Sequence, residues 1–277
     1  MSTLELSTWA RTWGVNEIPF SQTVWMETPA LLQLHRLLEQ TAIFSSVALV
    51  LGTNGLGKSA AVGQWLWKLD PQRFEPVALT QASLSGLGLL SCLCQHLGQT
   101  PSFRREGNLR RIEKALEELE RKKLVLVLDE AQHYSYEALE EIRLLLGLNL
   151  PSRPSFALIL VGDEYLLEAL KLRRHRALYS RISARVSLAR WTETESRAWI
   201  QQAWTQVGLQ IHAIEPAALD LLIKAAGGVP RSLQLLARAT WLRAAQEGKT
   251  QLECTHVQAA LDLVPCIPGQ ERDEALA

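Results

Sequence analysis

The sequence predicts an α/β protein in which a parallel sheet flanked by helices is followed by a smaller all-helical subdomain. Three observations carry this. The apolar runs Val47–Leu51, Leu124–Leu128 and Phe156–Val161 read as strands buried on both faces, as in a parallel sheet. Helical stretches alternate with them, the pattern of a doubly wound core. From Thr192 onward only helical periodicity remains.

A chain of 277 residues suits one such core plus a small subdomain. Hydrophobic residues at 47% and charged residues at 21% exclude a disordered chain. Lys plus Arg and Asp plus Glu balance at 29 each, so any nucleic-acid contact must come from a local basic surface. Cys92, Cys94, Cys254 and Cys266 lack paired zinc-type spacing, and the first two read as small core residues within Leu87–Leu97. The sequence shows no signal peptide and no bilayer-length apolar span, which sets the expectation of a cytoplasmic protein without a membrane partner.

Residues 1–42 read as an N-terminal linker and helix. Gly14 and Pro19 break regular structure, Ile18 and Phe20 call for burial, and Pro29 opens a helix to about Gln40 with Leu31, Leu32, Leu34, Leu37 and Leu38 as its apolar face. Residues 43–190 hold the core. Its first strand leads through a glycine-rich loop into a helix at Ala60-Ala61-Val62, and Pro76–Leu79 is a second strand. Ser83–Leu97 reads as a helix broken by Gly86 and Gly88, followed by a polar loop Gly98–Asn108 and a helix over about Leu109–Arg121. The strand at Leu124–Leu128, a helix over Tyr136–Leu146, the strand at Phe156–Val161, a basic helix-like region Lys171–Arg181 and a short strand around Ala184–Leu188 complete it. Residues 191–264 form the helical lid. Thr192-x-x-Glu195 is a capping box for its first helix, Pro216–Ala226 is its second, Gly227–Arg231 turns into a third, and Thr255-x-x-Gln258 caps a fourth. Trp199, Trp204 and Trp241 at helical spacing read as lid core. The polar tail 265–277 is expected to be flexible.

The loop Gly52-Thr53-Asn54-Gly55-Leu56-Gly57-Lys58-Ser59, continuing into Ala60, sits between a strand and a helix and has the form GxxxxGK[ST]. Its glycines let backbone N–H groups curl around a polyphosphate. Lys58 suits the β- and γ-phosphates, the Ser59 hydroxyl suits Mg²⁺, and the helix start aims its positive end at the same anion. The ligand expected is therefore a nucleoside triphosphate with Mg²⁺. Asp129 ends a buried strand, where it can hold the metal's hydration shell, and Glu130 beside it is placed to polarise an attacking water.

The phosphate loop, Asp129-Glu130-Ala131-Gln132, Leu139-Glu140-Glu141-Ile142-Arg143-Leu144-Leu145 and Leu160-Val161-Gly162 together resemble the ExeA-like branch of AAA+ ATPases. That branch includes transposon target-selection ATPases of the TnsC and MuB type. The resemblance runs from Trp13-Gly14 through Gly227–Arg231 to Thr255–Leu261, and it implies an AAA+ P-loop NTPase core with an all-α lid. It implies further roles as well. Asp163 falls where the group carries a polar γ-phosphate sensor, commonly Gln. Arg181 matches the arginine finger that enters a neighbouring subunit's site, with Arg173, Arg174 and Arg176 as rivals. Arg231 matches a second sensor on the lid. Asn16–Phe20 resembles the linker that packs on adenine, with burial of Phe20 in the core as the alternative. Arg104, Arg105, Arg110 and Arg111 fall in the region that in such ATPases tracks a DNA backbone.

The function these features imply is an ATP-dependent regulator of transposition that oligomerises as a ring or filament on double-stranded DNA and recruits a transposase. A secretion-type ATPase and a replication initiator or helicase loader are the alternatives. Neither a wall-binding domain nor a winged-helix domain is visible in this sequence.

Overall fold

The computed structural model describes residues 3–21, 24–80, 84–147 and 156–264. The tail 265–277 with Cys266, and Ser83 at the start of an expected helix, lie outside them. The chain begins with α1 (Thr3–Thr12), α2 (Pro29–Phe44), β1 (Val47–Leu51), α3 (Lys58–Trp67), β2 (Phe74–Leu79), α4 (Gly86–His96), α5 (Arg105–Glu118) and β3 (Lys123–Leu128). It continues with α6 (Tyr136–Leu145), β4 (Ala157–Gly162), α7 (Glu164–Lys171), α8 (Arg176–Tyr179) and β5 (Ile182–Ser187), then α9 (Glu193–Gln206), α10 (Pro216–Ala226), α11 (Pro230–Gln246) and α12 (Cys254–Leu263). These elements fall into two compact units, Pro29–Leu188 and Met1–Thr28 with Ala189–Ala277. The expected segment 1–42 is thus divided, α2 going to one unit and the residues before it to the other.

The first unit is built on a five-stranded sheet in the order β2-β3-β4-β1-β5. All its pairings are parallel. β1, β3 and β4 are buried almost throughout, as their unbroken apolar runs require, whereas β2 and β5 alternate as edge strands do. Pro76 has no N–H for a ladder, and an edge strand is where that is tolerated. Alternate strand residues point to opposite faces. Leu49, Leu126 and Leu160 pack under α4–α6, while Val50, Val127 and Val161 join α2 and α3.

Three boundaries differ from the sequence expectations. Gly86 and Gly88 do not break α4 but form its first turn, with the Ser85 hydroxyl accepting from Gly88 N at 3.2 Å. α5 starts at Arg105 rather than near Leu109, because the fully buried Asn108 side chain fastens the preceding loop and lets the helix begin earlier. The basic region 171–181 is not one helix. Leu172 is extended, and a 3-10 turn at Arg173–His175 and the short α8 follow it.

In the helical unit, the Thr192–Glu195 capping box forms as expected, with Glu195 N donating to Thr192 Oγ1 at 3.1 Å. α12, by contrast, is capped by Glu253 and His256, Glu253 N donating to His256 Nδ1 at 3.0 Å, not by Thr255 and Gln258. Trp204 and Trp241 are fully buried, and Trp13 and Phe20 from the N-terminal segment close the same core. Phe20 lies 5.8 Å from Trp199 and 5.5 Å from Trp204, ring to ring. Phe20 is therefore a core residue, and truncating any of these aromatics would cost about 3–5 kcal/mol.

Candidate functional site

Parallel strands bring their carboxyl ends to one edge of the sheet, and the residues that follow β1, β3 and β4 gather there. The register sets Leu51 beside Gly162 and Leu128 beside Leu160. β4 lies between β1 and β3, so the chain ends leading into the glycine loop and into Asp129 stand about 10 Å apart, two strand spacings.

The loop after β1 turns through Gly55 and Gly57, both left-handed at φ of 87° and 86°. A side chain would resist that conformation. Gly57 is the N-cap of α3 and has no side chain to satisfy the first helical N–H groups, which leaves them to whatever anion approaches. Lys58 is buried, and its ammonium donates to Gly52 O at 2.7 Å and Thr53 O at 3.3 Å. Asn54, Ser59 and Ala60 are exposed. A buried cation ringed by backbone dipoles, at an uncapped helix start, is a receptor for a multiply charged phosphate.

Asp129 extends the β2–β3 ladder by donating its N–H to Leu79 O at 3.0 Å, and its Oδ1 accepts from Glu130 N at 2.9 Å. Glu130 itself sits at φ 49°, ψ 44°. A non-glycine residue held there costs about 1–2 kcal/mol, and such strain concentrates at working sites. Its carboxylate Oε2 accepts from Gln132 Nε2 at 2.6 Å. Nothing in the sequence assigned Gln132 a role. Among the described residues no cluster of three or more His, Cys, Asp or Glu is arranged to hold a metal. A cation here would draw on Ser59 and Asp129, with water completing its shell, as Mg²⁺ prefers.

Asp163 follows β4 but is the N-cap of α7, its Oδ1 accepting from Tyr165 N at 3.0 Å and Leu166 N at 3.4 Å. Asp163 thus has a helix-capping role in the fold. Arg181 is half-buried and donates from Nη1 to Arg143 O at 2.8 Å. Arg174 lies 5.9 Å from the Tyr136 ring centre, and Arg173 and Arg176 are exposed. His175 between them is buried against Tyr136, and burial followed by the charge of Arg174 pulls its imidazole below the ordinary value.

The four arginines considered for DNA do not behave alike. Arg105 makes a two-pronged pair with Glu141 at 2.5 and 2.8 Å, which raises its pKa further. Arg111 Nη1 donates to Thr100 O at 2.6 Å. Arg104 and Arg110 are exposed, and so is Phe103, which precedes Arg104 in the chain. The loop that presents them is tied down by Asn108, which accepts from Ser102 N at 2.6 Å and donates to Ser91 Oγ at 3.1 Å. In the helical unit, Arg231 is the exposed second residue of α11. The turn before it is pinned where Trp191 N donates to Gly228 O at 2.8 Å and Arg190 Nη1 to Gly227 O at 3.0 Å.

The profile described as AAA domain matches residues 45–170. The chain is 26% identical over 217 residues to the Mu-like prophage FluMu DNA transposition protein B of Haemophilus influenzae, covering 74% of this chain and 68% of that protein. It is 27% identical over 214 residues to General secretion pathway protein A of Aeromonas hydrophila, covering 74% and 38%. It is also 27% identical over 207 residues to ATP-dependent target DNA activator B of Escherichia phage Mu, covering 71% and 63%. The last two are matched over less than two thirds of their own length. Among solved structures, the Aeropyrum pernix ORC2 protein in its ADPNP–ADP complexes shares the fold at a TM-score of 0.66 and 18% identity, over 91% of this chain and 71% of that one. The Thermotoga maritima RuvB Holliday junction branch migration motor does so at 0.56 and 16%, over 86% and 70%. The likeness to these two is one of fold. No helix among the described residues is long and apolar enough to cross a membrane. Residues 45–170 are an AAA domain, a nucleotide-binding fold, and the chain that carries it groups by similarity with the ExeA-like and MuB-type AAA+ proteins.

Proposed function

We propose that this chain is an ATP-dependent DNA-binding regulator of transposition. In this reading it binds and hydrolyses ATP with Mg²⁺, assembles as a ring or filament on double-stranded DNA, and recruits a transposase in the cytoplasm. The observation that carries the ATPase half is the cradle at the carboxyl edge: buried Lys58, the uncapped start of α3, and the strained Glu130 beside Asp129. Residues 52–60 hold the phosphates, and Ser59 and Asp129 would hold Mg²⁺, which would neutralise phosphate charge when bound. Glu130 accepts a proton from water as that water's oxygen bonds to the γ-phosphorus, while the bond from the γ-phosphorus to the β–γ bridging oxygen breaks and ADP leaves. Arg231 is assigned to phosphate from the lid, and Arg181 to a neighbour's site.

Two relatives support the DNA half, one named for DNA transposition and one for target DNA activation. The exposed pair Arg104 and Arg110 offers phosphate contacts without the rigid groove-reading side chains that base recognition needs. The match to a general secretion pathway protein keeps a secretion ATPase as the second reading. Fluorescence anisotropy on unrelated duplexes, with and without ATP across a salt series, separates the two. ATP-dependent, sequence-independent binding that weakens steeply with salt supports transposition. Absence of binding at low salt favours the secretion reading, and electron microscopy of the ATP–DNA mixture shows whether a ring or filament forms.

A further inference from the structure

We propose that Gln132 is the positioning residue for the Glu130 carboxylate, a strut set between that carboxylate and the end of β4. This rests on the reading of the site as an ATPase, and deepens it. The side chain reaches back two residues, and its Nε2 donates to Glu130 Oε2 at 2.6 Å. Its other end faces Gly162, the last residue of β4. A Cβ built on Gly162 would lie 2.7 Å from Gln132 Oε1 and equally close to Leu166 Cδ2, so that position is kept bare where the amide passes. Gln132 Oε1 is buried and has no hydrogen-bond partner among the described residues. A buried amide oxygen left unpaired is costly, and it persists only where the surroundings dictate the side chain's place.

The strut answers a need. Glu130 is in the left-handed region, with its own N–H bound to Asp129 and its carbonyl accepting from His133 N at 3.0 Å, so its backbone is fixed while its carboxylate is not. A carboxylate has two oxygens, and a donor on Oε2 leaves Oε1 to accept the water's proton. Asp163, the polar residue that follows Gly162, has its Oδ1 turned to the start of α7. The side chain packed between β4 and the carboxylate is therefore Gln132, bonded to Glu130 at one end and set against Gly162 at the other.

The test is steady-state ATP hydrolysis by the full chain, with nucleotide affinity and nucleotide-free melting measured in parallel. Gln132→Ala should lower kcat on the order of ten- to a hundredfold, as loss of a hydrogen bond to a charged group does, while KM and nucleotide affinity stay within about twofold. Gln132→Glu has the same shape but sets a like charge against Glu130. It should be worse than Gln132→Ala, whereas a side chain that merely fills space would tolerate it. In a Glu130→Gln background, Gln132→Ala should cost no further turnover, and the melting losses of Gln132→Ala and Glu130→Ala should not add. Gly162→Ala, which leaves both partners in place but crowds the amide, should reproduce the kcat loss. Wild-type kcat in Gln132→Ala, a Gln132→Glu variant more active than Gln132→Ala, or additive losses with Glu130→Gln each overturn the strut alone. A wild type that binds but never hydrolyses ATP overturns the ATPase reading and the strut with it.

Discussion

The carboxyl edge of the sheet and the two arginine-bearing surfaces are both read as phosphate-binding, yet they are built on opposite principles. At the edge, the candidate groups are backbone N–H groups and side chains within one or two residues of a strand or helix end. Lys58 opens α3, and Asp129 and Glu130 directly follow β3. Their positions follow once the strands pair. The arginines sit on long, flexible stems whose partners are chosen by the fold, 36 residues away for Arg105, 11 for Arg111 and 38 for Arg181. A sequence pattern can therefore place the first kind of group and only nominate the second. Arg104, Arg110, Arg173 and Arg176 face solvent, while Arg105, Arg111 and Arg181 are hydrogen-bonded within the chain.

The largest effects should come from the edge. Glu130→Gln should lower turnover by about 10² to 10⁴, the span of general base catalysis, with ATP binding retained. Equal hydrolysis by variant and wild type would take Glu130 out of the chemistry. Lys58→Ala removes the buried cation, and charge-assisted contacts to phosphate make the expected loss of nucleotide affinity on the order of a hundredfold. Calorimetric titration checks it. An unchanged dissociation constant would show that Lys58 serves only the carbonyls of Gly52 and Thr53.

Much of the fold was legible in advance because burial writes itself into composition. β1, β3 and β4 are unbroken apolar runs for the reason that both faces of each are covered. Other features depend on partners remote in sequence. The early start of α5 depends on Asn108 reaching Ser91 and Ser102, and the burial of Phe20 depends on Trp199 and Trp204. Asp163 stands where the resemblance implies a phosphate sensor, and in the fold its carboxylate caps α7. Gln132 was in view within Asp129–Gln132, but its bond to Glu130 exists only because Glu130 adopts a left-handed conformation that no local pattern announces.

The finger segment is where the comparison can be broken. If Arg181 acts in a neighbour's site, its bond to Arg143 O must open on assembly. Arg181→Ala should then bind ATP normally, lose assembly-stimulated hydrolysis by orders of magnitude, and regain part of it when mixed with Lys58→Ala subunits. If mixing never rescues, and Arg173→Ala or Arg176→Ala shows the defect instead, the exposed arginines are the trans-acting ones and Arg181 is a fastening of α6.

The smallest effects should sharpen the contrast within a single helix and its approach. Arg104 and Arg105 are adjacent, but Arg104 is exposed and Arg105 grips Glu141 with two hydrogen bonds while its own side chain stays 41% exposed. Glu141 is only 13% exposed, so leaving its carboxylate without this two-pronged partner costs more than a surface pair does, about 1–3 kcal/mol. Arg105→Ala should therefore lower Tm by about 3–10 °C, with DNA affinity little changed. Arg104→Ala with Arg110→Ala should do the reverse, leaving Tm alone and weakening binding equally on unrelated duplexes. It should also reduce the slope of log affinity against log salt by about two, one per lost phosphate contact. Thermal melts and anisotropy titrations on the same samples read both quantities. Should Arg105→Ala flatten the salt slope instead, Arg105 leaves Glu141 for DNA, and the contact seen in the free chain is a resting place for a DNA-binding side chain.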